Sequence, residues 1–332
     1  MTALPEPRGP LSAAVTDALS QQRPIPAPPP SIGESDPYGA DLAVALHTCY
    51  ELHYRGFPGV SPEWEWSPDL LAFRRALENV FLRALRTDTE ASDDVAGVLD
   101  GLLVEPVPGN GVSHHLRDRG EWWQMREYFA HRSIYHLKEA DPHAWVIPRL
   151  QGQAKAALVA VEFDEFGGGR GERVHSRLFA DLLTGAGMSA EYLHYLDVVP
   201  APQIAIVNLM SLLGLHQGLR GALVGHFAAA EITTAPSAQR LAAALERLGA
   251  GQACVDFFTE HVEADAVHEQ VMRRDVIGDL LSREPQLAED VVFGVQATEL
   301  LEGRLADHLL SAWARGETSL LRPLDVPELA TN

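Results

Sequence analysis

In the run from Phe257 to His268, two imidazoles and a carboxylate fall at offsets of four and seven: His261, Asp265 and His268. On a helix those offsets return to one face, so the three side chains form a single stripe. Two His and one carboxylate is a donor set that suits non-haem Fe(II) and leaves positions open for oxygen and substrate. The same residues would also fit a solvated face among Glu260, Glu263 and Glu269, so other segments must decide.

Glu165 stands ten residues before His175, with Gly167-Gly168-Gly169 between them. The glycines weaken a helix and suggest a backbone bent so that both side chains turn inward; an ordinary loop rimmed by Asp164, Arg170, Glu172 and Arg173 is the plainer reading. Glu231 follows Phe227-Ala228-Ala229-Ala230 at the end of a long apolar stretch, where a carboxylate is costly unless a cation pairs with it. Its alternative is a helix emerging into solvent before Thr233-Thr234. Two metal ions need several N and O donors, and bridging carboxylates keep such a pair close. No convincing pair of Glu-x-x-His motifs is present, which disfavours the ferritin-like solution, and no His-Glu-x-x-His, which weakens a zinc-protease reading.

The elements that must carry these residues read as helices. Apolar residues recur at helical spacing through Leu42–Tyr50 and Leu70–Phe81, then over Val95–Val104, Glu121–Glu139, Pro148–Phe166, Gln203–Ile232, Ser237–Leu248, Ala253–Arg273 and Pro285–Arg315. No alternating run is long enough for a confident strand, and no repeat is evident. The fold class is therefore all-α, a helical bundle. Residues 1–37, dense in proline, read as a mobile leader, 38–115 as N-terminal accessory helices, 116–322 as the domain that carries the donors, and 323–332 as a tail.

Composition bounds the partners. The chain has 332 residues, 46% hydrophobic and 22% charged, a globular balance. With 26 Lys and Arg against 46 Asp and Glu the net charge is −20, which repels nucleic acid and anionic lipid. Val198–Leu219 lacks Asp, Glu, Lys and Arg but is interrupted by prolines and polar residues, and so reads as a buried helix and not a membrane span. Two cysteines and no secretory signal at Met1–Pro10 give the expectation of a cytoplasmic protein.

Several pieces in one order resemble a family: the iron-containing redox enzymes with a haem-oxygenase-like fold, or haem-oxygenase-like di-iron oxidases. The pieces are Lys138 to His143, Val161 to Arg170, His175, Glu231-Ile232-Thr233 and His261 to His268, and the similarity runs from about Trp122 to Leu321. The resemblance implies two iron ions held by Glu165 and His175 from one core helix, Glu231 from another, and His261, Asp265 and His268 from a third. It adds Glu139 as a seventh donor. Glu162, three residues before Glu165, could compete for metal or face solvent. His143 and His226 are expected to be satisfied core or capping histidines, and Trp122, Trp123, Tyr192, Tyr195, Asn208 and Met210 are candidates for lining a pocket.

The implied activity is oxidation of a small organic molecule with O₂ as co-substrate: N-oxygenation of an amine, or oxidative C–C cleavage of an amino or fatty acid, in natural-product biosynthesis. An electron donor and a homodimer stay open. Haem binding or degradation on the same fold and a non-enzymatic helical binding protein are the alternatives, with mono-metal hydrolysis more distant. The carboxylate-rich donor set argues against porphyrin.

Overall fold

The computed structural model describes residues 3–105 and 107–324, the side chains of 263–266 excepted. The chain runs through α1 (Pro10–Gln21), α2 (Ala40–Glu51), α3 (Pro68–Asp88), α4 (Val95–Leu102), α5 (Val112–Arg119), α6 (Trp122–His136), the single turn α7 (Asp141–Ala144), α8 (Gly152–Glu165), α9 (His175–Gly185), α10 (Ala201–Leu215), α11 (Arg220–Arg247), α12 (Gln252–Gln270), a π-helical segment (Val271–Ile277), α13 (Gly278–Arg283) and α14 (Ala288–Ala314). Among the described residues there is no β-strand, and no helix is long and apolar enough to cross a membrane.

A helix apolar on all sides must be central. Every residue from Gln203 to Gly214 of α10 and from Leu42 to Glu51 of α2 is buried, and these two helices pack on one another. Around them α11 lies between α12 and α14, while α9 covers α12 and α8 covers the π-helical segment. The α11–α14 contact is made by backbone. A methyl group at Gly225 would lie 2.0 Å from the Val291 carbonyl oxygen, and one at Gly294 would lie 1.9 Å from that of Ala222, so glycine at both crossing points is what lets the helices touch.

Three expectations about the elements change. The proline-dense leader is not a loose segment over residues 10–21, where α1 packs Leu11, Val15, Ala18 and Leu19 against α2. Pro10 sits in its first turn, where no amide hydrogen is needed, and Asp41 of α2 accepts from the Leu11 and Ser12 amides at 3.0 and 2.7 Å. The prolines masked a short amphipathic pattern. The stretch Gln203–Ile232 is two helices, broken at His216. The break expected before Ser237 is absent, because α11 continues through Pro236. Of the expected tail, residues 325–332 lie outside the described residues.

Since Leu19 is fully buried, we expect Leu19→Ala to destabilise the protein by about 2–5 kcal/mol, as truncation of a packed core leucine does. Urea denaturation followed by circular dichroism measures this, and a midpoint unmoved by the substitution would show α1 to be dispensable.

Candidate metal centre

Glu165 is the last residue of α8 and His175 the first of α9, so the pair comes from two helices and not from one continuous core helix. The intervening glycines explain this. Gly167, Gly168 and Gly169 all have left-handed φ (74°, 62° and 78°), and a methyl on Gly167 would lie 2.6 Å from the backbone of Arg173 and Val174. The chain thus doubles back tightly, and His175 Nδ1 comes to 2.8 Å from Glu165 Oε2. Arg173 fixes the returning strand of this loop to α12 by two hydrogen bonds to Glu260.

On α12, His261 and His268 are both buried and share the inward face that their spacing predicts. His261 Nδ1 lies 2.7 Å from the Phe257 carbonyl oxygen and must donate to it, which leaves Nε2 as the lone-pair nitrogen, 3.6 Å from Glu139 Oε1. His268 Nδ1 lies 3.0 Å from Glu231 Oε2 and 3.8 Å from Glu165 Oε1, and its Nε2 lies 3.2 Å from the outlying Asp164. The Asp265 side chain lies outside the described residues. Glu231 sits mid-helix in α11 and is 6% exposed, which removes the reading that it marks a helix end in solvent.

Glu139 occupies the turn after α6, and its neighbour Ala140 is buried at φ 71°, a conformation that costs an L-residue free energy and persists only when the surroundings impose it. The imposing contact is adjacent. Lys138 Nζ lies 2.8 Å from Glu51 Oε2 in a fully buried pair, and Tyr192 donates its hydroxyl to the same carboxylate at 2.8 Å. An accessory helix, α2, thereby anchors the turn that presents Glu139. Burial alone would raise the Glu139 carboxyl, yet His136, 2.7 Å away, holds it well below the usual carboxylate range.

The donors converge as two groups. One ligand atom each from Glu139, Glu165, His175 and His261 lie within 4.8 Å of one another, and the same holds for Glu165, Glu231 and His268. Glu165 belongs to both. This donor set of buried carboxylates and imidazoles fits iron: acids left in an apolar interior need cations, and Lys138, next to Glu139 in sequence, is already paired with Glu51.

A cavity of about 490 Å³ opens onto this cluster and is walled by Tyr135, Glu139, Glu165, Glu231 and His261, with Met210 and Phe258 among its apolar sides. Of the residues singled out in the sequence as candidate pocket lining, Met210 is there. Tyr192 instead serves Glu51, and Asn208 donates to the Ala43 carbonyl. His136, which the sequence reading passed over, orients Glu139; its position three residues earlier was the available signal. Glu162 is 2% exposed and faces inward without a hydrogen-bond partner among the described residues. Among the described residues His143, expected to be satisfied, has neither ring nitrogen hydrogen-bonded, and His226 has one.

Residues 126–303 match the family model described as iron-containing redox enzyme, and the chain belongs to that haem-oxygenase-like family of oxidoreductases. It is also similar to the nitrosourea synthase of Streptomyces achromogenes subsp. streptozoticus, 24% identical over 166 residues, which is 50% of this chain and 35% of that protein. The chain therefore aligns with about a third of the relative's length.

Burial, then Glu165, Glu231 and Asp141, push the Glu162 carboxyl up to about 9. In chelator-treated protein this acid stays protonated when folded but ionises near its ordinary value when unfolded, so the folded state binds the extra proton and stability falls as pH rises from about 4.5 towards 9. We expect Glu162→Gln to flatten that decline and to melt higher than the parent at pH 8. Melting curves from pH 5 to 9 test it, and identical slopes would refute the assignment.

Proposed function

We propose that the protein is a non-haem di-iron oxidase or oxygenase that uses O₂ to oxidise a small organic molecule held in the cavity above the cluster. The observation that carries this reading is that Glu165 belongs to both donor groups, the arrangement a bridging carboxylate needs to keep two ions together. Glu139, His175 and His261 would complete one site, and Glu231 and His268 the other, with Asp265 added from its place on the α12 stripe. When bound, the irons would supply the electrons and the coordination positions for O₂ activation.

The chain's own groups set the conditions for that chemistry. The Phe257 carbonyl holds His261 in the tautomer that presents Nε2 to a metal, and His136 keeps Glu139 ionised. Phe227 and Phe258 give the cavity an apolar side, which would limit water at the reacting face once substrate is bound. A relative that forms a nitrosourea favours N-oxygenation over C–C cleavage here, and an external electron donor would serve repeated turnover. The buried carboxylates oppose the haem alternative, since porphyrin ligation calls for one proximal donor.

Iron-free protein loaded anaerobically with Fe(II) should take up two ions per chain by colorimetric assay, and should develop a transient visible absorption on mixing with O₂. Glu165→Ala should lose most of both ions, whereas Glu231→Ala should retain one. A wild-type chain that binds no iron, or a Glu165→Ala variant with unchanged uptake, would defeat the proposal.

A further inference from the structure

Beyond the donors, two more imidazoles reach the same cavity. His226, on α11, and His143, on α7, are each about 1% exposed, and both line it. Their rings stand 5.3 Å apart, with His143 stacked on Phe227 at 4.2 Å. No metal-competent group among the described residues includes either one.

The hydrogen bonds around His226 determine which nitrogen carries its proton. Thr298 has one hydroxyl hydrogen, and it is donated to the Gly294 carbonyl at 2.7 Å. The His226 Nδ1 that lies 2.7 Å from the same Thr298 oxygen must therefore be the donor there. Burial lowers His226 to about 4, so the ring is neutral and Nε2 is a lone pair. That nitrogen is buried and has no partner among the described residues. An acceptor left unsatisfied in an apolar wall costs free energy that a ligand donor can recover.

The cavity's charges narrow the ligand further. Its two arginines are engaged, Arg132 with Glu302 through two bonds of 2.7 Å and Arg240 with Glu105. Among the described residues of the wall both guanidinium groups are thus already ion-paired, with only the Arg132 Nε hydrogen unpartnered. His226 precedes Glu231 by five residues on one helix, an axial separation of about 7.5 Å, so a group held there lies away from the reacting end.

We propose that His226, assisted by His143, is a hydrogen-bond-accepting subsite that recognises an N–H or O–H group of the substrate remote from the metal cluster. The substrate class is then an amine, amide or alcohol. This rests on the cavity being the substrate site, as the preceding reading has it.

The test uses full-length, iron-free protein and two matched probe pairs: hexylamine against trimethylhexylammonium, equal in charge but lacking N–H, and hexan-1-ol against 1-methoxypentane. By calorimetry each donor probe should bind roughly ten-fold tighter than its counterpart, the worth of one buried hydrogen bond. In His226→Phe that preference should vanish while iron uptake, assayed separately, stays intact. Equal binding within both pairs, or a preference that survives in His226→Phe, would overturn the proposal whatever the iron assay gives. Ring ¹⁵N NMR of the wild type covers the case in which the variant does not fold. His226 should be protonated at Nδ1, its Nε2 signal shifting when hexylamine is added; protonation at Nε2 would overturn the assignment.

Discussion

Carboxylates crowded together in an apolar interior are the constraint around which this protein is arranged. Glu139, Glu162, Glu165 and Glu231 lie in the interior of a helical bundle, and imidazoles of His136, His175, His261 and His268 stand among them. Such a set is unfavourable unless positive charge enters or protons stay on. Two of the acids illustrate these responses. Burial and the neighbouring acids push the Glu162 carboxyl up towards its protonated form, and Glu139 leans on His136.

Holding that set together takes contributions from well outside it. The Gly167–Gly169 reversal returns His175 to Glu165, and the Glu51–Lys138 pair reaches from an N-terminal helix to the turn carrying Glu139. Replacing such a buried pair by apolar groups is often neutral, while removing one partner is strongly destabilising. Its value here is geometric: it fixes a backbone turn that the left-handed Ala140 would otherwise leave. The accessory helices are accordingly part of the centre's support.

What the sequence made legible follows from the range of the forces involved. His261 and His268 share a face because helical period is local, and Glu231 stood out because a carboxylate in an apolar helix is anomalous wherever the helix ends. The reading of α11 as ending near Glu231 failed because tertiary packing carried the helix through Pro236, overriding a local breaker. Glu139 came from family resemblance alone. Nothing local announces that Ala140 adopts positive φ, since the cause is a lysine finding a glutamate 87 residues away. His143 and His226 were read as ordinary core histidines because hydrogen-bond satisfaction is a three-dimensional property.

The crossing of α11 and α14 bears on how such a cavity can diversify. With Gly225 and Gly294 at the crossing, main chain rests on main chain, and no side chain lies between as a compressible spacer. His226 follows one of these glycines directly, and Thr298 sits one turn beyond the other, so the acceptor and the group that orients it are registered to a rigid joint. The width of the cavity at that level is then set by the backbone. Lineages sharing the joint would alter ligand preference by exchanging side chains along the wall while the helices keep their spacing.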